Sequence, residues 1–165
     1  MRWVPAIAAA LFCAAAAADE AAPLPAPKGS AREKAIAAYN DGVKLMLDKR
    51  FPEAQKRFED AITIDESLAE AHNNLAFSLR MQGRHNFDRA QAEYRRALEI
   101  NPKLAQAYMY RGVLNAQSGN MAAAQADLAT LRGLDPALAA KLERALAETA
   151  RDDRDGLAGQ LDGLY

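Results

Sequence analysis

Apolar and small side chains return along this chain at two periods, one set by the turn of a helix and one set by a repeating unit. From about Ala35 the same order of side-chain sizes comes back three times. Gly42, Ala76 and Gly112 form a small-residue column, followed in each unit by Ala54, Ala90 and Ala124. Phe58, Tyr94 and Leu128 come next, then Ala61, Ala97 and Leu131. The units close on IDE at 64–66, INP at 100–102 and LDP at 134–136, with Pro102 and Pro136 placed where one helix stops and the next begins. Early columns are spaced 34 then 36 residues and later ones 36 then 34, so two extra residues fall between Ala76 and Ala90; His85 and Asn86 in a turn account for them. Self-similarity at such a period marks an array in which no unit buries its apolar face alone.

The array predicts pairs of antiparallel helices. Small residues at one crossing let the first helix of a unit approach the second, and Phe58 and Tyr94 fill the wider gap. After the last unit, Leu138, Leu142, Ala145, Leu146 and Thr149 share one helical face, so residues 137–151 read as a capping helix, with 152–165 a charged, glycine-bearing tail. Composition agrees. Alanine fills 39 of 165 positions, and alanine favours helix and disfavours strand.

The small, small, aromatic, small order over residues 35–138 resembles the tetratricopeptide repeat (TPR) family. The resemblance implies an all-α helix-turn-helix solenoid of three repeats, 35–68, 69–104 and 105–138, within a domain spanning 31–151. The match is uneven. Asp41 and Arg111 stand where the second unit has Leu75 and the family prefers leucine, Glu66 replaces the unit-ending proline, and Leu131 is bulky where alanine is usual.

The opening segment has one positive charge at Arg2, an apolar run from Trp3 to Ala18, then Asp19 and Glu20. This is the anatomy of a cleaved secretory signal, residues 1–18, with Ala16 and Ala18 as the small residues near the cut. Acylation at Cys13 fits less well because Phe12 precedes it. Export points to the periplasm or the exterior, and the run is too short and too rich in alanine for stable membrane insertion. Cys13 is the one cysteine, so cleavage leaves no thiol chemistry. Residues 19–30, with Pro23, Pro25, Pro27 and Gly29, read as an extended linker.

A net charge of −1 speaks against a general nucleic-acid binder. His72 and His85 are too few and too far apart for a metal site; His72 reads as a packed core residue and His85 as a loop residue. Asp153, Asp155, Gly156 and Asp162 echo a calcium loop, but Arg151 stands at its first ligand position. Neither a phosphate-binding glycine loop nor a nucleophile with a base is recognisable, so the expectation is a non-enzymatic protein without cofactor or metal.

Binding is expected on the concave face, which the first helices of stacked pairs line. Helical spacing puts Tyr39, Asn40 and Val43 there in the first unit, Asn73, Asn74 and Phe77 in the second, and Met109, Tyr110 and Val113 in the third. Some family members grip a C-terminal carboxylate with cations and amides, and of the positions weighed only Asn74 fits. Others use stacked asparagines to bond a peptide backbone, and Asn40 with Asn74 resembles two rungs of such a ladder, since an amide donates and accepts at once. The other reading is that these asparagines are solvated helix residues. The expected function is a protein–protein interaction module, an envelope scaffold or assembly factor taking a linear segment of another envelope protein. The alternative is a structural or homo-oligomeric role through the third repeat, the cap or the tail, where Leu157, Leu161, Leu164 and Tyr165 have near-helical spacing.

Overall fold

The computed structural model describes Leu24 and residues 30–161, with side chains through Arg151. The expected signal with Cys13, the linker apart from Leu24 and Ser30, Asp162, Leu164 and Tyr165 lie outside the described residues, as do the side chains of Leu157 and Leu161.

Three helical hairpins and a long last helix follow one another: α1 (Ala31–Leu47) with α2 (Phe51–Ile64), α3 (Ala69–Gln82) with α4 (Phe87–Ile100), α5 (Ala105–Gln117) with α6 (Met121–Leu134), then α7 (Pro136–Leu161). Within a hairpin the two helices pack on each other; α2 also rests on α3, α4 on α5, and α7 on both α5 and α6. The fold is therefore all-α among the described residues, a solenoid of three repeats. The last helix continues past Arg151, so the backbone of 152–161, expected as a tail, is helical.

Local chemistry sets the boundaries. Ser30 Oγ accepts from the Glu33 N–H at 3.3 Å and caps α1, and Asn120 Oδ1 accepts from the Ala123 N–H at 3.2 Å and caps α6. The three unit ends share one device: oxygens of Asp65, Asn101 and Asp135 accept from the N–H two residues on, at 3.0, 3.1 and 2.9 Å. The Ser67 hydroxyl also bonds Asp65 and, ahead of the Ser67 N–H and Arg32, holds that carboxyl below its usual range. Between the helices of a hairpin the chain turns through positive φ at Lys49, Gly83 and Gly119 (60°, 128° and 80°). In the second hairpin a 3-10 turn over Arg84–Asn86 follows Gly83 and houses the two extra residues.

The repeated columns are the core. Ala54, Phe58, Ala61, Ala76, Ala90, Tyr94, Ala97, Ala124, Leu128 and Leu131 are all buried. A Cβ on Gly42 would stand 2.6 Å from Phe58 Cε1, the close approach that the small column permits. Gly112 differs from that expectation. A Cβ there would stand 2.7 Å from Leu142 Cδ2 of α7, so the last unit uses the small position to seat the cap. Leucine's absence at 41 is also explained: Asp41 belongs to the first described hairpin, is exposed, and pairs with Lys44 at 3.1 Å.

Candidate functional site

Asn40 lies half-buried on α1, and its amide brackets the backbone of one residue of the chain's own N-terminal segment. Asn40 Oδ1 accepts from the Leu24 N–H at 2.9 Å, while Asn40 Nδ2 donates to the Leu24 carbonyl at 3.1 Å. Leu24 is half-buried and packs against the main core cluster. The bonds satisfy the donor and the acceptor of one residue together, which the oxygen and the nitrogen of a side-chain amide can do side by side. Sequence reasoning placed Asn40 on this face but missed Leu24, whose one signal was its position between Pro23 and Pro25.

The neighbouring residues form a buried polar chain across the first helices. Asn74 on α3 donates to the Tyr39 hydroxyl on α1 at 3.0 Å, and Asn73 Nδ2 donates to Asn74 Oδ1 at 3.0 Å. Burial, with the Glu70 charge, pushes the Tyr39 phenol well above its ordinary range against the lowering bond from Asn74, so the hydroxyl stays protonated. Asn73 is 4% exposed and its Oδ1 has no hydrogen-bond partner. A buried orphan acceptor costs about 1–3 kcal/mol, which a donor reaching it would recover.

The structure brings the other expected residues together as floor rather than as open surface. Phe77 is 1% exposed, with its ring 5.0 Å from Tyr110, 6.1 Å from Phe51, and the Arg80 guanidinium 5.2 Å above it. Tyr39, Val43, Met109 and Tyr110 are likewise buried, Tyr39 tilted against Phe58 at 5.7 Å. Val113 is half-buried. Large side chains between first helices must fill the space between units, so the residues with the most contact area are committed to packing. Asn73 and Asn74 are not solvated helix residues. They belong to the buried chain, which leaves Asn40 and Val113 as the positions with more surface to offer.

Titratable groups elsewhere are absorbed by structure. His72 is buried, with Nδ1 2.7 Å from Glu93 Oε2 and Nε2 3.2 Å from the Glu66 carbonyl. Arg111 bonds Asp127 through both Nε (3.1 Å) and Nη2 (2.5 Å), and Asn115 Nδ2 donates to Asp127 at 3.0 Å. His85 is exposed in the inserted turn. Among the described residues no group of three or more His, Cys, Asp or Glu is arranged to hold a metal, and no helix is long and apolar enough to cross a membrane.

No protein-family model matches the chain. The photosystem I assembly protein Ycf3 of Cyanophora paradoxa is 27% identical over 104 residues, a match spanning 62% of this chain and 60% of that relative, so this chain covers less than two thirds of the relative's length. The TPR domain of Arabidopsis OM64 superposes with a TM-score of 0.66 at 21% identity, covering 72% of this chain and 98% of that domain. The first TPR of Spaghetti (RPAP3), solved bound to the HSP90 peptide SRMEEVD, gives 0.66 at 18% identity, covering 73% of this chain and 93% of that one. With the repeat columns and helix order, these likenesses establish the architecture: the chain folds as a TPR-like helical solenoid.

Proposed function

We propose that this protein is a non-enzymatic interaction module that holds an extended segment of a partner along its first-helix face, as a scaffold or assembly factor of the cell envelope. One observation carries the reading: the Asn40 amide already engages both the N–H and the carbonyl of one residue, Leu24. Peptide recognition by backbone bonding requires that geometry, and apolar floor beside it supplies affinity. Neighbouring folds solved with peptides, and a relative named as an assembly protein, support the class of function. The envelope location rests on the signal-like residues 1–18 alone.

Photo-crosslinking tests this. A photoreactive residue placed at Val113 or at exposed Ala37 is expected to give adducts that map to one linear segment of a partner, reduced by Asn40→Ala. Adducts confined to probes on the outer helices, such as exposed Arg96 of α4, would remove the assigned face. Truncating Phe77 or Met109 is a poor probe because both are core residues. Location is checked separately by cell fractionation, where recovery with cytoplasmic markers refutes export.

A further inference from the structure

The residue that Asn40 holds belongs to this chain, and its chemistry suits the role. Pro23 and Pro25 carry no backbone N–H, so Leu24 supplies the one amide donor of the stretch 23–25, and Asn40 Oδ1 takes that donor. A residue before proline is biased toward extended backbone, so Leu24 loses little conformational freedom on docking. Its half-buried side chain adds apolar contact with the core cluster. Leu24 also lies beyond the expected cleavage before Asp19, so the contact survives signal removal.

We propose that Leu24 and its proline-flanked segment are the resident occupant of the Asn40 site, an internal ligand that a partner must displace. The inference rests on the peptide-binding reading and names the ligand chemistry of the same site: an extended backbone presenting leucine between residues that donate no competing N–H. Tethering sets the strength of the competition. A short connection gives an effective concentration on the order of millimolar, so a resident segment of ~100 μM intrinsic affinity keeps the site about nine-tenths filled, and an outside segment binds roughly tenfold more weakly.

The test uses the full chain and the synthetic peptide AAPLPAPKGS, residues 21–30. In hydrogen exchange followed by NMR, the Leu24 amide is expected to be protected roughly tenfold or more relative to the free peptide, and to lose that protection in Asn40→Ala while α1 amides keep theirs. In titrations the labelled peptide is expected to bind Leu24→Asp about tenfold more tightly than the unsubstituted chain, and to lose binding when Asn40→Ala is added. Unchanged helical circular dichroism in each variant certifies the fold. Free-peptide exchange at Leu24, equal peptide affinity for Leu24→Asp and the unsubstituted chain, or indifference to Asn40→Ala would each overturn the proposal. If Leu24 is protected and the peptide behaves as expected, yet no partner segment crosslinks to this face, the internal contact stands and the proposed function falls.

Discussion

Gly42 and Gly112 occupy the same column but face different neighbours, and the difference decides what an added methyl group does. Replacing a helical glycine by alanine gains about 1 kcal/mol of propensity. At Gly42 the new Cβ would meet the Phe58 ring at 2.6 Å, and that ring is fully buried, so overpacking of about 1–3 kcal/mol outweighs the gain. At Gly112 the obstacle is the two methyls of Leu142, at 2.7 and 3.0 Å. That side chain is fully buried as well, but its end yields by a small turn about single bonds where the Phe58 ring moves only as a rigid whole, so the cost stays close to the gain. Gly42→Ala is therefore expected to lower the midpoint of urea unfolding, while Gly112→Ala leaves it near the starting value; equal losses would contradict the distinction. Lys49 offers the opposite case. It turns the chain at φ 60°, where the other two hairpins use Gly83 and Gly119, and its neighbour Arg50 donates to the Leu45 carbonyl at 2.9 Å in the same way that Asn120 donates to Asn115 at 2.8 Å. A non-glycine residue in this region costs about 1–2 kcal/mol, so Lys49→Gly is expected to raise stability by about 1 kcal/mol, part of the gain being lost to the freer unfolded chain. A thermal midpoint that fails to rise would show that the turn stores no strain at this position.

At the scale of helix pairs, the polar residues that interrupt the repeat columns come with partners. Arg111 stands where the resemblance expects leucine, and α6 answers with Asp127, 3% exposed and bonded by both Arg111 and Asn115. Breaking a buried pair by removing one member costs about 3–5 kcal/mol, while replacing both with apolar residues is often near neutral. The Arg111 side chain keeps 22% of its surface, so the penalty here is scaled down. Arg111→Leu alone, which strands the Asp127 carboxylate, is expected to cost about 2–3 kcal/mol, and adding Asp127→Ala should return most of it. A double-mutant cycle by urea denaturation checks this; additive losses would mean that the two residues act independently. Such compensation was hard to see beforehand because Arg111 and Asp127 lie on facing helices and share no local spacing. The columns themselves were readable, since Gly42 needs Phe58 to fill the space it leaves and the same sizes recur at fixed offsets. The Asn40–Leu24 contact had no such signal. It joins a helix to a proline-rich segment 16 residues away, where neither helical period nor repeat period operates.

Across the whole molecule, each hairpin touches its neighbours in sequence and the cap touches the last hairpin, so stability is expected to vary along the array. The order of elements was legible at this scale because the small columns at Gly42, Ala76 and Gly112 and at Ala54, Ala90 and Ala124 recur in all three units, as does an Asp or Asn ending at Asp65, Asn101 and Asp135. The length of α7 was not: residues 152–161 are charged and bear glycine, and local composition argued for a tail where the backbone is helical. What α7 contributes is concentrated at Leu142, which is fully buried and fills the space over Gly112. Leu142→Ala removes that filling and is expected to cost about 2–4 kcal/mol, a transfer loss plus a cavity against a glycine that cannot expand to close it. The loss should also be directional. Amide exchange in α5 and α6, which rest on α7, is expected to accelerate first, while α1 and α2 keep most of their protection, because the destabilised interface lies two hairpins away from them. Equal acceleration in every helix would show instead that the three hairpins open as one cooperative unit. In that case a partner bound at the first hairpin would also stabilise the cap, with no separate coupling device needed between them.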